Sequence, residues 1–564
     1  MDKYDVVIVG AGLAGLAAAY YLASRGYDVI VLEKAKVPGQ KNVTGGVIYG
    51  SYIKGYGLID LIPDFEKEAP LERRIVDFKL VVLSDPFKEG DRYKYRVLEI
   101  GRDSPLYSLI HYPAETGHDY SVLRARFDRW LALKVEEVGG IVVTGVGVED
   151  AVIEDGRVVG VVTHRGEEVR ADLVIDASGV TSVLAPKVGL RPYLTPSKVY
   201  HGVKFVYRLD EEAINRRFNV KSGEGVAIAL MGDFLRGMVG GGFIYTNRDT
   251  LSVGIVVEMS SMLDALKSRF DEVGKPLDVL EDMVSHPYVA SLIEGGKLVE
   301  YSAHLVPRGF EVMPSKPFVP GYIAVGDALG SFVKIGDMID GMRRAIATGI
   351  MAAQTYEYAR KIGDFGNRGL SIYLELLKPI IDDVNKYRSM SALFESRLIY
   401  GSGYRVALRL LGREVEVARF ERGERRDTAQ RLQELTGLLT YDEDKEYSHI
   451  TVNYDEANKD PYKLWVAACP MGCYSLYLED KGVFVSFHDL YKFNLRMLSQ
   501  RTGRPTSELR DEAIRETLND IKRGSVKFDH VACVACGTCW VIGPPSIIRF
   551  GPEREGHGVK YAYG

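Results

Sequence analysis

Two apolar, β-branched runs lie near the start of the chain, Val6–Val9 within residues 4–9 and Val29–Leu32 within residues 28–33. Runs of this kind, without polar alternation, predict strands buried on both faces of a parallel sheet. The Ala- and Leu-rich stretch between them predicts a helix ending near Arg25-Gly26, which makes a strand–helix–strand opening. Further strands are expected at 141–144, 158–163 and 173–175, with a helix over 126–137. Residues 191–320 read as mainly β, the run 251–257 among them. A strand over 322–325 runs into Gly326-Asp327, and a helix follows from about Gly341. Residues 366–446 read as helical, with dense charge between Arg405 and Arg431. After His449 the texture changes to a small module bearing Cys and Gly.

Length and composition narrow the picture. At roughly 150 residues per domain, 564 residues leave room for about four units. Charged residues at 26% and hydrophobic ones at 46% exclude a largely disordered chain. A net charge of −5 supplies no broad basic footprint, so no nucleic-acid partner is expected. No apolar run reaches 18 residues, which argues against a spanning helix. The opening lacks the charged, apolar and cleavage regions of a signal peptide, so a cytoplasmic protein is expected.

The turn after the first run is Gly10-Ala11-Gly12-Leu13-Ala14-Gly15, and an acidic residue, Glu33, stands 23 positions after Gly10. Following a strand and opening a helix, this is the context of a dinucleotide fingerprint. Gly10, Gly12 and Gly15 allow a tight turn and a pyrophosphate at the helix N-terminus, and Glu33, with Lys34 beside it, is placed for the ribose. The distant Gly326-Asp327 favours FAD over NAD. In flavoproteins of the hydroxybenzoate-hydroxylase class, which the chain resembles here, this Asp lies on the ribityl chain. By the same resemblance the helix opened by Gly341-Met342-Arg343 points at the pyrimidine edge of the flavin, where its dipole stabilises negative charge. Arg124 matches an arginine that class carries near its dinucleotide; an ordinary ion-pairing arginine is the alternative.

All five cysteines fall between Cys469 and Cys539. A ferredoxin run is C-x2-C-x2-C-x3-C-P, whose fourth Cys ligates the other cluster in two-cluster proteins. Cys533, Cys536 and Cys539 supply three positions, and the fourth falls on Gly543, before Pro544. Taking Cys469-Pro470 as the fourth position of a first copy puts its other positions on Lys459, Tyr462 and Trp465. One ligand set, at 459, 462, 465 and 543, is therefore missing, and the complementary set remains. Cys469, Cys533, Cys536 and Cys539 are expected to ligate one [4Fe–4S] cluster. Zinc, four unligated core thiols, and Cys473 in place of Cys469 are the alternatives.

Residues 1 to about 430 resemble FixC, the flavoprotein related to electron-transfer flavoprotein:quinone oxidoreductase, through the strings 38–49, 240–252 and His304-Leu305-Val306-Pro307. Residues 447–564 resemble FixX, its ferredoxin-like companion, through Cys469-Pro470-Met471-Gly472, Cys536-Gly537-Thr538-Cys539 and 556–561. The chain thus resembles a FixC–FixX fusion. The implied fold is α/β. A Rossmann-like FAD-binding domain of the hydroxybenzoate-hydroxylase and geranylgeranyl-reductase type is expected over 1–190 and 321–365. A mainly β substrate or quinone domain over 191–320, a helical connection over 366–446 and an α+β ferredoxin-like domain over 447–564 complete it. Gly45-Gly46 would let the backbone approach the flavin, a plain flexible turn being the alternative. Between Cys469 and Cys533 lie 63 residues, an insertion with a helix capped at Thr506 or Ser507 and ended by Gly524, either a docking element or a decoration that packs locally.

The resemblance implies an EtfA/EtfB-type electron-transfer flavoprotein heterodimer as donor, NADH-fed and bifurcating, and a membrane quinone such as menaquinone as acceptor. No catalytic acid or base is expected, since the chain's task is to position cofactors. A peripheral contact on the inner face of the membrane follows. Residues 227–231 with Phe234, Leu235, Met238 and Val239 are the candidate apolar patch or quinone-tunnel wall, an ordinary core strand being the alternative; Met338-Ile339 is equally ambiguous. Two rivals remain: a geranylgeranyl-reductase-type enzyme acting on isoprenoid lipids, and a relay subunit inactive on its own.

Overall fold

The first apolar run folds as the strand Lys3–Val9, and Val6, Val7 and Ile8 have no exposed surface. Burying each such side chain contributes about 1.5–3 kcal/mol. The strand sits between Glu168–Asp176 and Val29–Glu33, parallel to both, and Ile141–Thr144 and Tyr322–Ala324 extend the parallel sheet on either side. The hairpin of Val148–Glu154 and Arg157–Thr163 joins it antiparallel through Glu168–Asp176. The structure, a computed structural model, describes residues 3–43, 46–107, 116–335, 338–396, 399–417, 420, 427–543 and 545–564. The helix Leu13–Ala23 is buried along most of its length. It packs so closely on Met342–Ile362 that a Cβ at Gly349 would lie 2.2 Å from the Ala14 carbonyl oxygen.

The second sheet is mainly antiparallel. Among the described residues its main path runs Lys297–Pro307, Val199–Arg208, Thr250–Glu258, Gly240–Thr246, Glu224–Gly232, Arg74–Leu83, Arg92–Ile100 and Arg413–Val417. Two of these memberships differ from the expected boundaries. Strands from residues 74–100 pair in this sheet, not with the nucleotide unit, and Arg413–Val417 from the expected helical connection pairs with Arg92–Ile100. Sheet membership depends on pairing between distant segments, to which local patterning is blind. The rest of the connection is largely helical, with Ile372–Phe394, Tyr404–Leu411 and Thr428–Thr436.

The cysteine-bearing module folds through short pairings: Thr440–Asp442 with Gly558–Lys560, Ile450–Val452 with Ile548–Phe550, and Tyr474–Leu478 between Gly482–Phe484 and Ser525–Phe528. Its first strand lies ahead of 447. The insertion holds Phe487–Thr502 and Arg510–Arg523, the latter preceded by a 3-10 turn at Thr506–Glu508 and ended at Gly524. It packs on the second-sheet unit: Arg510 reaches Asp271 and Glu272, and His488 meets the Phe270 carbonyl at 2.9 Å. No helix among the described residues is long and apolar enough to cross a membrane.

Candidate functional site

The glycine turn works as its spacing requires. Gly10 has φ +101°, and a Cβ there would lie 2.6 Å from the Ala177 carbonyl oxygen. A Cβ at Gly15 would lie 2.1 Å from the Gly10 carbonyl oxygen, so this glycine seats the helix on the strand and does not face the cavity. Gly12 occupies the N-cap without a side-chain cap, leaving the first N–H groups of an 11-residue helix open to an anion.

This helix start opens into a cavity of about 290 Å³ between the two sheets. Gly10, Gly12, Glu33, Lys34, Arg124, Gly46, Gly326, Asp327, Gly341 and Met342 all line it. Gly45 lies outside the described residues. Glu33 accepts hydrogen bonds from the Ala11 N–H at 2.7 Å and the Ala35 N–H at 2.8 Å, which fixes its carboxylate at the cavity edge. Arg124 pairs with Asp128 through two hydrogen bonds, 2.6 and 2.7 Å, while its guanidinium approaches Gly12, so it is both an ion-pairing and a cavity residue. Desolvation pushes the Asp327 carboxyl up to about 6 despite the nearby Arg124. At the opening of Met342–Ile362, Asp340 accepts from Arg343 at 2.6 Å and Arg344 at 3.0 Å.

Other residues in and around the cavity were not among the expected site residues. His304 and Lys204 line the large-sheet wall, and desolvation lowers them to about 4 and about 8. Glu553, from the cysteine module, pairs with Lys34 at 2.7 Å and Lys41 at 2.9 Å. Burial would raise its carboxyl, but the charges of Lys34, Lys41 and His449 hold it well below the usual range. Residues 562–563 donate backbone N–H groups to Glu300, and the Lys204 ammonium donates to the Tyr563 carbonyl at 2.9 Å. Each depends on residues hundreds of positions apart meeting in space.

All five cysteines line one small apolar cleft with Trp465, Tyr474, Phe528 and Phe550 among its walls. Among the described residues no three His, Cys, Asp or Glu side chains converge on a single metal-ion position. The thiols surround a space instead. A hydrogen bond from Cys473 pulls Cys469 down to about 6 against the opposing effect of burial, and Lys275 adds to it. Cys473 acts likewise on Cys533, with His449 at 3.4 Å from its sulfur. The short helices Leu464–Ala468 and Thr538–Ile542 end at Cys469 and Gly543 respectively, the two fourth positions of the doubled ferredoxin pattern. A Cβ at Gly543 would lie 2.9 Å from the Trp465 indole nitrogen, so two positions of the missing ligand set meet, filled by an indole and a glycine. This donor set, mutually close thiols beside cationic groups in an apolar cleft, fits an anionic thiolate cluster.

The two sites are neighbours. Val534 and Phe550 line both the cysteine cleft and the large cavity. The 227–239 segment is core and not a surface patch: Ala227, Ile228, Leu230, Phe234, Leu235 and Met238 are buried. Residues 227–229 do wall a small pocket with Tyr49, Phe78 and Tyr245, and Val47 and Ile339 line both this pocket and the large cavity.

Residues 5–288 match the family described as FAD dependent oxidoreductase. Protein FixC of Escherichia coli O157:H7 is 38% identical over 405 residues, covering 72% of this chain and 88% of the relative. Protein FixC of Azorhizobium caulinodans is 35% identical over 401 residues, 70% and 85% of the two chains. The probable electron transfer flavoprotein-quinone oxidoreductase YdiS of Escherichia coli strain K12 is 35% identical over 402 residues, 71% and 87%. A geranylgeranyl bacteriochlorophyll reductase-like protein of Thermoplasma acidophilum shares the fold, with TM-score 0.53 and 20% identity over 72% of this chain and 92% of that one.

Proposed function

The chain belongs to the FAD-dependent oxidoreductase family and to the FixC-like proteins within it, and on that premise we propose that it carries electrons from an EtfA/EtfB-type flavoprotein heterodimer, NADH-fed and bifurcating, through one [4Fe–4S] cluster and FAD to a membrane quinone. The observation that carries the proposal is the shared wall: Val534 and Phe550 line both the cysteine cleft and the large cavity. Bound there, the cluster exchanges one electron at a time, and the flavin one or two.

The chain's own residues bind and orient. The open N–H groups after Gly12 receive the pyrophosphate, Glu33 faces the ribose, and Arg124 lies beside Gly12. Gly46, Gly326, Asp327, Gly341 and Met342 line the same cavity for the flavin, and Asp340 pairs with Arg343 and Arg344 beside it. Cys469, Cys533, Cys536 and Cys539 hold the cluster, with Cys473 donating its backbone N–H to the Cys469 sulfur; the meeting of Trp465 and Gly543 supports a ferredoxin-like module with one cluster lost. The quinone is met at a peripheral membrane contact.

The test is an anaerobic rapid-mixing assay with an NADH-reduced EtfA/EtfB-type heterodimer and a water-soluble menaquinone analogue. The proposal predicts quinone reduction by the parent chain and its loss in Cys536→Ser that retains FAD. Equal rates in both, or none in the parent, would overturn it.

A further inference from the structure

Lys275 is 1% exposed, yet among the described residues no carboxylate lies within salt-bridge distance of its ammonium. Its hydrogen bonds go to main-chain oxygens of the cysteine module: Val466 at 2.5 Å and Cys469 at 2.8 Å, with Ala467 at 3.5 Å. Two acids act on it from beyond that distance. Asp278 is paired with Arg431 at 2.7 Å, and Asp489 accepts the Thr428 N–H at 3.2 Å. Removing a cation from water without a counter-charge is strongly unfavourable, and such groups persist where an anion compensates them. Burial pushes the Lys275 ammonium below its ordinary value, and the neighbouring Cys469, Asp278, Cys473 and Asp489 oppose that. A cluster held by four thiolates carries net negative charge at this place.

We infer that Lys275, reaching from the second-sheet unit, is the counter-ion of the thiolate cluster and sets its reduction potential. The inference rests on the cluster assignment above. One-electron reduction adds a negative charge and takes up no proton, so a fixed cation beside Cys469 favours the reduced state. Lys275 also caps carbonyls near the end of Leu464–Ala468, a purely structural task that a neutral donor could perform. The two roles separate experimentally. Lys275→Gln keeps a donor and removes the charge, whereas Lys275→Arg keeps the charge.

The experiment is a redox titration followed by electron paramagnetic resonance on the full chain, with iron and sulfide determined for each variant. Lys275→Gln is expected to lower the reduced-to-oxidised ratio at a fixed potential at least tenfold, about 59 mV for a one-electron couple. Lys275→Arg should stay near the parent. An unchanged or raised potential in a cluster-loaded Lys275→Gln chain would overturn the inference while leaving the cluster in place. If Lys275→Gln takes up no cluster, Lys275→Arg must restore iron, sulfide and potential, and its failure would reduce Lys275 to a packing role. A parent chain without iron and sulfide would remove the cluster assignment itself, and the counter-ion role with it.

Discussion

Replacing Glu553 by Gln tests how the cysteine module is fastened over the nucleotide cavity. The Glu553 side chain is 4% exposed and pairs with Lys41, 7% exposed, and Lys34, 32% exposed. Removing one partner of a buried pair costs about 3–5 kcal/mol, because the other charge is left buried without compensation. Here the lower end applies, about 3 kcal/mol, since the amide oxygen still accepts one hydrogen bond and Lys34 is partly solvated. Urea unfolding of the full chain reports this through tryptophan fluorescence, because Trp465 and Trp540 are buried in the module. Lys41→Met combined with Glu553→Gln should recover part of the loss, since neither charge is then stranded. The pH dependence has a fixed sign. A carboxyl held below its unfolded value stabilises fully above about pH 4.3 and loses that contribution as pH falls toward its folded value, so parent and Glu553→Gln should converge in acid. A Glu553→Gln chain within about 0.5 kcal/mol of the parent at pH 7, or a double variant as unstable as the sum, would refute the clamp.

Other expected outcomes follow from the same geometry. Gly10→Ala, with φ +101° and its Cβ 2.6 Å from a carbonyl oxygen, should abolish FAD retention at a cost above about 1–2 kcal/mol of conformational strain, measured by equilibrium dialysis. Asp340→Asn should cost up to about 3 kcal/mol by removing the carboxylate that Arg343 and Arg344 share, Arg344 keeping its pair with Asp383 at 2.8 Å, and this should appear as a lowered thermal midpoint. Because desolvation raises the Asp327 carboxyl to about 6, the flavin-free chain should gain stability as pH falls from about 6 toward its unfolded value near 3.9, and Asp327→Asn should flatten that gain. Cys473→Ser should retain iron and sulfide, whereas Ser at Cys469, Cys533, Cys536 or Cys539 should lose them.

The continuous runs that became Lys3–Val9 and Val29–Glu33 were legible because a strand buried on both faces needs apolar residues at every position. The glycine turn and Gly326-Asp327 were legible because close backbone approach excludes side chains. Positions 465 and 543, two members of the ligand set read as missing from the doubled cysteine spacing, lie together. Membership of Arg74–Leu83 in the large sheet was not legible, and neither was the burial of 227–239, because an apolar strand reads alike in a core and on a membrane face. Glu553, Lys204 and Lys275 stand in no motif; each matters through a partner brought from another unit. Pairing over such separations is set by tertiary packing, where local pattern carries no information.

Cluster and flavin stoichiometry bears most directly on the central claim. Iron, acid-labile sulfide, zinc and flavin are quantified in anaerobically purified chain, with electron paramagnetic resonance after dithionite reduction. The account predicts about four irons, about four sulfides and about one FAD per chain, with one reduced-cluster signal. Zinc without sulfide, or about eight irons, would contradict it and leave an FAD-dependent oxidoreductase without the electron path proposed here.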